Sequence, residues 1–230
     1  MSRTIGMSEA TKAIVQSQPP RLLVISGATG VGKSTTATQL AADLKFSRLI
    51  STDAIREIMR ACDESESNPA LHRSSFSRGE TGDPIIDWID TCNSVEKGVL
   101  ATIDRAKREG IDLLLEGVHI RPDNSLLREW REAGGIAIGV VLYVADENKH
   151  KEMLNQREKH SHRSSNRYLN SIKRIRAIQD EMFDRTKITG WIGIDVGSEN
   201  EEKRIKHYLD LEWNSARYET TVFINTILLV

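Results

Sequence analysis

Residues 27–34 read GATGVGKS and satisfy the pattern G-x-x-x-x-G-K-[ST] at every constrained position, with Thr35 following. Gly27, Gly30 and Gly32 let the backbone curl so that its N–H groups can point inward at phosphate oxygens. A helix starting near Lys33 adds the positive end of its dipole. Lys33 can bridge the β- and γ-phosphates, and Ser34 can offer its hydroxyl to Mg²⁺. The segment Gly27, Ala28, Thr29, Gly30, Val31, Gly32, Lys33, Ser34 and Thr35 is therefore expected to cradle ATP with Mg²⁺. The bland alternative is a glycine-rich turn that binds nothing. An apolar strand before the loop and a helical pattern after it favour the phosphate cradle.

Such a loop alone binds a triphosphate. Transfer also needs an acceptor hydroxyl held in line and a group to take its proton. Asp53 follows the second expected strand, so in a parallel sheet it should emerge at the same edge as the loop. Arg56 and Arg60 follow on one helical face, a corner suited to an anionic alcohol. Glu116 closes the apolar run IDLLLEG, the position from which a carboxylate holds Mg²⁺ directly or through water. Gly117 would leave space for the phosphates, and His119 and Arg121 could reach a substrate. The plain alternatives are Asp53 as a helix cap, the arginines solvated or paired with surface acids, and His119 hydrogen-bonded in a loop.

Lys149 to Arg176 holds nine Lys or Arg against two acids, a block of +7, with three histidines besides. Broken at 160–166, it is expected to form a helical lid over the nucleotide, with Arg157, Arg163 and Arg167 neutralising the transferring phosphoryl group and excluding water. A solvated face is the plain alternative. A grip on a nucleic-acid backbone is another, weakened by Tyr168 being the segment's only aromatic residue.

These groups need a scaffold. RLLVIS at 21–26, bounded by Gly27, reads as a strand buried on both faces. A helix is expected over 33–44, a strand over 47–51, and a helix over 53–61 capped by Thr52 or Asp53. The polar stretch 62–83 reads as a loop, followed by a long helix over 85–109 ended by Gly110. Apolar strands at 111–115 and 136–144 flank a helix over 125–133. Residues 146–187 are helix-compatible apart from the break. A strand at 191–196 and a helix over 201–213, capped by Ser198 or Asn200, complete the pattern. Strands alternating with helices imply an α/β fold with a mainly parallel sheet. The apolar tail TTVFINTILLV at 220–230 reads as a packed edge strand, with a homodimer contact as the sharper alternative.

The chain has 230 residues, and 32 Lys plus Arg balance 33 Asp plus Glu for a formal charge of −1. That excludes binding of nucleic acid through bulk positive charge. The total hides a sorting of charge, because the +7 block leaves −8 on the rest. Cys62 and Cys92 form no disulfide framework or zinc pattern. No secretory signal or membrane span is visible, so a cytoplasmic protein is expected. The length suits one domain with an elaboration: a leader at 1–20, a domain at 21–213 with its lid at about 149–176, and a tail at 214–230.

The strings ISGATGVGKST (25–35), STDAIREIMR (51–60), LHRSS (71–75), LLLEGVHIRP (113–122) and RYLNSIKRIRAIQD (167–180) resemble archaeal-type 2-phosphoglycerate kinase. The phosphate loop is shared by many families, whereas T-D-x-I-R-E, L-H-x-S-S, E-G-V-H and R-Y-L together are far more specific. The resemblance implies a P-loop NTPase three-layer sandwich with a five-stranded parallel sheet. It implies ATP-dependent phosphorylation of 2-phosphoglycerate on its 3-hydroxyl. It also implies that Asp53, Arg56, His72, Ser74, Ser75, Glu116 and His119 face substrate or metal. The tail 214–230 has no counterpart in it.

The expectation is a small-molecule kinase with an anionic hydroxy-acid acceptor. A polynucleotide 5′-hydroxyl or other RNA-modifying kinase is the first alternative. A regulatory protein that binds nucleotide without an acceptor is the second.

Overall fold

In the computed structural model, which describes residues 19–158, 166–196 and 200–228 (the side chains of 157, 158, 166 and 217–228 excepted), the run RLLVISG forms β1 (Arg21–Gly27). Next come α1 (Lys33–Asp43), β2 (Leu49–Ser51), α2 (Thr52–Cys62), the single turn α3 (Pro69–His72) and the long α4 (Pro84–Glu109). They are followed by β3 (Leu113–Gly117), α5 (Asn124–Glu132), β4 (Ile136–Tyr143), α6 (Glu147–Glu158), α7 (Asn166–Asn170), α8 (Ile172–Thr189), β5 (Ile192–Asp195) and α9 (Glu201–Leu228). The five strands lie in the order β2-β3-β1-β4-β5, every neighbouring pair parallel. The expected three-layer α/β sandwich is borne out.

The near-continuous apolar strands have the physical reason foreseen for them: both faces of the sheet are covered. Leu22 and Val24 of β1 face a core built with Trp88, Val95 and Val99 of α4, Trp130 of α5 and Ile178 of α8. Leu23 and Ile25 face the opposite layer, with Ala37 and Leu40 of α1 and Ile205 and Leu209 of α9. The long α4 starts where Asp83 accepts from the amides of Ile85 and Ile86, beside Pro84, and stops at Gly110, whose φ is 62°.

Several boundaries differ from the sequence reading. Neither Thr52 nor Asp53 caps α2; Ser51 does, its hydroxyl accepting from the Asp53 amide at 3.1 Å. That leaves Thr52 fully buried and the Asp53 carboxylate free to project from the helix start. The polar stretch 62–83 contains α3, started by Pro69. The last helix does not stop at 213 but continues to Leu228, so the backbone of 220–228 is helical rather than an edge strand. Sequence pattern misled here because a β-branched apolar run can sit in a helix once tertiary context or continuation supports it. The side chains that a dimer contact would need lie outside the described residues. Among the described residues, no helix is long and apolar enough to cross a membrane.

Candidate functional site

The carboxyl edge of the sheet gathers the expected chemistry. Ser51 of β2 and Glu116 of β3 are register partners, and Ile25 of β1 is level with Glu116. The loop after β1 and the start of α2 therefore leave the sheet side by side. Two cavities open there. One, of about 430 Å³, is lined by Thr29, Gly30, Gly32, Lys33, Ser34, Thr35, Asp53 and Glu116, and by Met153 and Gln156 of α6. The other, of about 290 Å³, is lined by Asp53, Arg56, Glu57, Ser74, Ser75, Phe76, His119, Arg167 and Tyr168. Thr29, Asp53 and Val118 border both.

In the first cavity the loop has the form its motif requires. Lys33 Nζ donates to the Ala28 carbonyl at 2.8 Å, across the loop's mouth. The side chains of Ala28 and Val31 are buried in the core, so these residues can serve a ligand only through their backbone. The Ser34 hydroxyl donates to Glu116 Oε1 at 3.1 Å, and Glu116 is buried. A hydroxyl and a carboxylate are hard oxygen donors, and Mg²⁺ is held by one or two such protein ligands with phosphate and water completing the shell. The donor set fits that ion. Among the described residues no cluster of three His, Cys, Asp or Glu is arranged to hold a metal.

In the second cavity Asp53 is largely exposed, with Oδ1 3.6 Å from Nδ1 of buried His119. Thr52 Oγ1 lies 3.1 Å from the same nitrogen. Burial drives the His119 pKa down to about 4; Asp53 opposes this, and Arg56 and Lys33 reinforce it. His119 is thus a neutral ring near pH 7, with Nε2 buried and without a hydrogen-bond partner among the described residues. Arg56 Nη2 donates to the Arg73 carbonyl at 2.9 Å and Nη1 meets Glu57 at 3.2 Å. Arg167 Nη2 donates to Ser74 Oγ at 2.6 Å, and its guanidinium lies over the Phe76 ring.

Gly117 has a task that the sequence did not suggest. A Cβ there would lie 1.7 Å from Thr52 Oγ1, so glycine lets Thr52 reach across and touch His119.

Some expected residues lie elsewhere. Arg60 pairs with Glu57 at 2.7 Å and lines a third cleft with His72. His72 is bound to Asp63 at 3.1 Å, so its ring is engaged in tying down the 63–72 turn. Arg121 lines a separate cavity between α4 and α5, beside Cys92 and Glu96. Arg163 and the side chain of Arg157 lie outside the described residues. Arg167 is found in the second cavity, not the first. The basic segment is also not one solvated or ligand-facing surface. Arg174 is spent on buried Asp87 at 2.7 Å and on the carbonyls of Phe76, Ser77 and Gly82, and Arg176 on those of Val144 and Ala145.

Sequence reasoning missed Thr52, Glu57, His150, Met153 and Gln156. Thr52 stood beside a recognised acid and was read only as a cap. The others sit on helix faces whose orientation no local signal revealed.

A protein family described as an AAA domain matches residues 22–182. The chain belongs to the AAA domain family. Within this AAA-domain chain, 175 residues are 35% identical to the 2-phosphoglycerate kinase of Thermococcus kodakarensis, covering 73% of this chain and 58% of that one. Against the 2-phosphoglycerate kinase of Methanocaldococcus jannaschii, identity is 33% over 183 residues, covering 77% and 59%. The resemblance read from the motifs is borne out by these relatives, of whose length the chain spans just under three fifths. A crystal structure from Chloroflexus aurantiacus matches with a TM-score of 0.52 at 16% identity, covering 86% of this chain and 98% of that one. At that identity the likeness is one of fold.

Proposed function

We propose that the chain is an ATP- and Mg²⁺-dependent kinase whose acceptor is a small phosphorylated hydroxy acid. The acceptor is 2-phosphoglycerate, converted on its 3-hydroxyl to 2,3-bisphosphoglycerate. The observation that carries this reading is the position of Asp53. Its carboxylate borders both the cavity of the phosphate loop and the cavity that holds Arg56 and Arg167. A base that assists transfer between two substrates must touch both of their sites. The names of the relatives supply the particular acceptor.

The loop from Gly27 to Thr35 binds and orients the triphosphate. Ser34 and Glu116 would hold Mg²⁺, which would supply positive charge against the triphosphate. Arg56, Arg167 and the hydroxyls of Ser74 and Ser75 seat the acceptor's phosphate and carboxylate, guanidinium being matched to both groups. The acceptor oxygen forms its bond to the γ-phosphorus as the bond to the β–γ bridging oxygen breaks. The hydroxyl proton passes to Asp53, and ADP leaves with the bridging oxygen. Neutral His119 adds no positive charge beside Asp53. The segment that opens with α6 would serve as the lid, with Arg157 and Arg163 as the cations to neutralise the transferring group.

The test is ATP consumption with 2-phosphoglycerate, 3-phosphoglycerate, glycerate, nucleosides and RNA with a 5′-hydroxyl. Turnover with 2-phosphoglycerate alone is the expected result. Turnover with RNA ends alone would overturn the reading in favour of a polynucleotide kinase. The internal use of Arg174 and Arg176 speaks against that outcome. ATP binding with no acceptor turned over would indicate a nucleotide-dependent switch.

A further inference from the structure

His150 sits at the start of the basic segment, yet it is fully buried and takes no part in a charged surface. It projects from α6 onto the phosphate loop, with Nε2 2.9 Å from the carbonyl oxygen of Thr29. A carbonyl only accepts, so Nε2 must carry the proton. Nδ1 is buried with no hydrogen-bond partner among the described residues. Burial, with the charges of Arg176 and Lys33, holds the ring's pKa below the ordinary imidazole value; the bond to Thr29 and the charge of Asp180 oppose this.

The next residue is Gly30, whose φ is 89°. A Cβ there would lie 2.3 Å from Leu154 Cδ2 and 3.4 Å from His150 Nε2. Helix α6 is therefore seated directly against the loop, and glycine is what lets it approach. A peptide followed by glycine is also the one most free to rotate, because glycine tolerates either sign of φ. The Thr29–Gly30 peptide is trans, so its C=O and N–H point in opposite directions. If it turned over, a carbonyl oxygen would face the bound phosphates and an amide donor would be lost from the cradle.

We propose that His150 is a positioning residue for the phosphate loop: by holding the Thr29 carbonyl against α6, it keeps the Gly30 amide directed away from that helix and toward the triphosphate. The proposal rests on the reading of residues 27–35 as the ATP site. It gives the lid a second task, since the helix that begins the lid also braces the loop. Displacement of α6 would then be felt as a change in nucleotide affinity.

Two variants of the full chain separate this role from simple packing. His150→Gln offers an amide donor near the position of Nε2, whereas His150→Leu fills similar space without a donor. ATP binding is measured by isothermal titration calorimetry with Mg²⁺ and no acceptor. His150→Leu is expected to bind ATP about tenfold more weakly, and His150→Gln to stay within about threefold of the parent, the range set by one buried hydrogen bond. The KM of the acceptor should not change in either. Nitrogen NMR of the parent chain should find His150 protonated on Nε2, a readout that stands even if the leucine variant fails to fold. Parent-like affinity in His150→Leu, equal losses in both variants, or a proton on Nδ1 would each overturn the proposal. A parent chain that binds ATP but turns over no acceptor removes the kinase reading and leaves this comparison intact. A parent chain that does not bind ATP overturns both.

Discussion

Ser51 and Glu116 face each other across β2 and β3, so the two strands end level at the sheet's carboxyl edge. Two residues beyond Ser51, the Asp53 carboxylate projects over the gap between the two cavities. Because Ser51 takes the capping role, Asp53 is not consumed in satisfying the first turn of α2.

Asp53→Asn should therefore leave folding and ATP binding largely unchanged while reducing kcat by roughly 10²–10⁴, the usual cost of losing a general base. Steady-state kinetics with saturating ATP and acceptor check this. A variant that turns over like the parent would remove Asp53 from the chemistry.

Arg167→Ala should raise the KM of the acceptor with little change in the KM of ATP. Its guanidinium lines the second cavity and is braced there by Ser74 Oγ. Loss of one charge-assisted hydrogen bond to an anionic substrate corresponds to about 2 kcal/mol, or roughly thirtyfold. If the KM of ATP rises instead, Arg167 belongs to the nucleotide's lid, as the sequence alone suggested.

The sequence carried more of the edge chemistry than of the cavity walls. Lys33, Ser34, Asp53 and Glu116 were legible because each is tied to a strand end, and a parallel sheet brings strand ends together whatever the side-chain packing. Arg56 and Arg167 were recognised as cations, but their shared cavity depends on how α7 packs over Phe76 and Ser74, nearly a hundred residues away in the chain. His72 and Arg121 misled for the same reason: a correct residue type in a correct neighbourhood can still point the wrong way. His150 was hidden by its company, since a buried neutral ring among eleven charged residues reads as one more positive group. The +7 block was sound as a sum and uninformative as a surface, because Arg174 and Arg176 are turned inward.

Gly117→Ala should destabilise the chain by about 1–3 kcal/mol through overpacking. The added methyl would overlap Thr52 Oγ1 and crowd Thr52 Cβ at 2.7 Å, neither of which is the free end of a long side chain. It should also disturb the Thr52–His119 contact and with it turnover. Urea denaturation indistinguishable from that of the parent would show that the site relaxes more easily than its geometry implies.

His119 should remain neutral throughout the range in which an exposed histidine titrates. Its folded pKa is depressed to about 4, chiefly by burial. The sign follows from linkage: the unfolded chain binds this proton first, so stability from the neutral ring is present above the ordinary imidazole pKa and is lost as pH falls toward 4. Proton NMR of the His119 ring checks this, and a midpoint between pH 6 and 7 would contradict the depressed value. Turnover should accordingly show no histidine-like limb from this residue between pH 5 and 8.

Asp87 and Arg174 should matter to the acceptor cavity without touching it. Asp87 is fully buried, and burial by itself would raise its pKa. Hydrogen bonds from the Gly79 amide, Arg174 and Thr81 outweigh that and bring it down to about 2. The pair ties α4 and α8 to the segment 76–82, which carries Phe76 into the cavity wall. Asp87→Ala leaves Arg174, the Gly79 amide and the Thr81 hydroxyl without their carboxylate partner and should cost about 3 kcal/mol, the scale for breaking a buried ion pair from one side. Because the folded pKa lies below the ordinary carboxylate value, the stabilisation is present near neutrality and is lost as pH falls from about 4 toward 2. The variant should therefore show a flatter acid limb in thermal denaturation between those values. The parent and the variant losing stability in parallel across that window would mean that Asp87 is not the group being protonated.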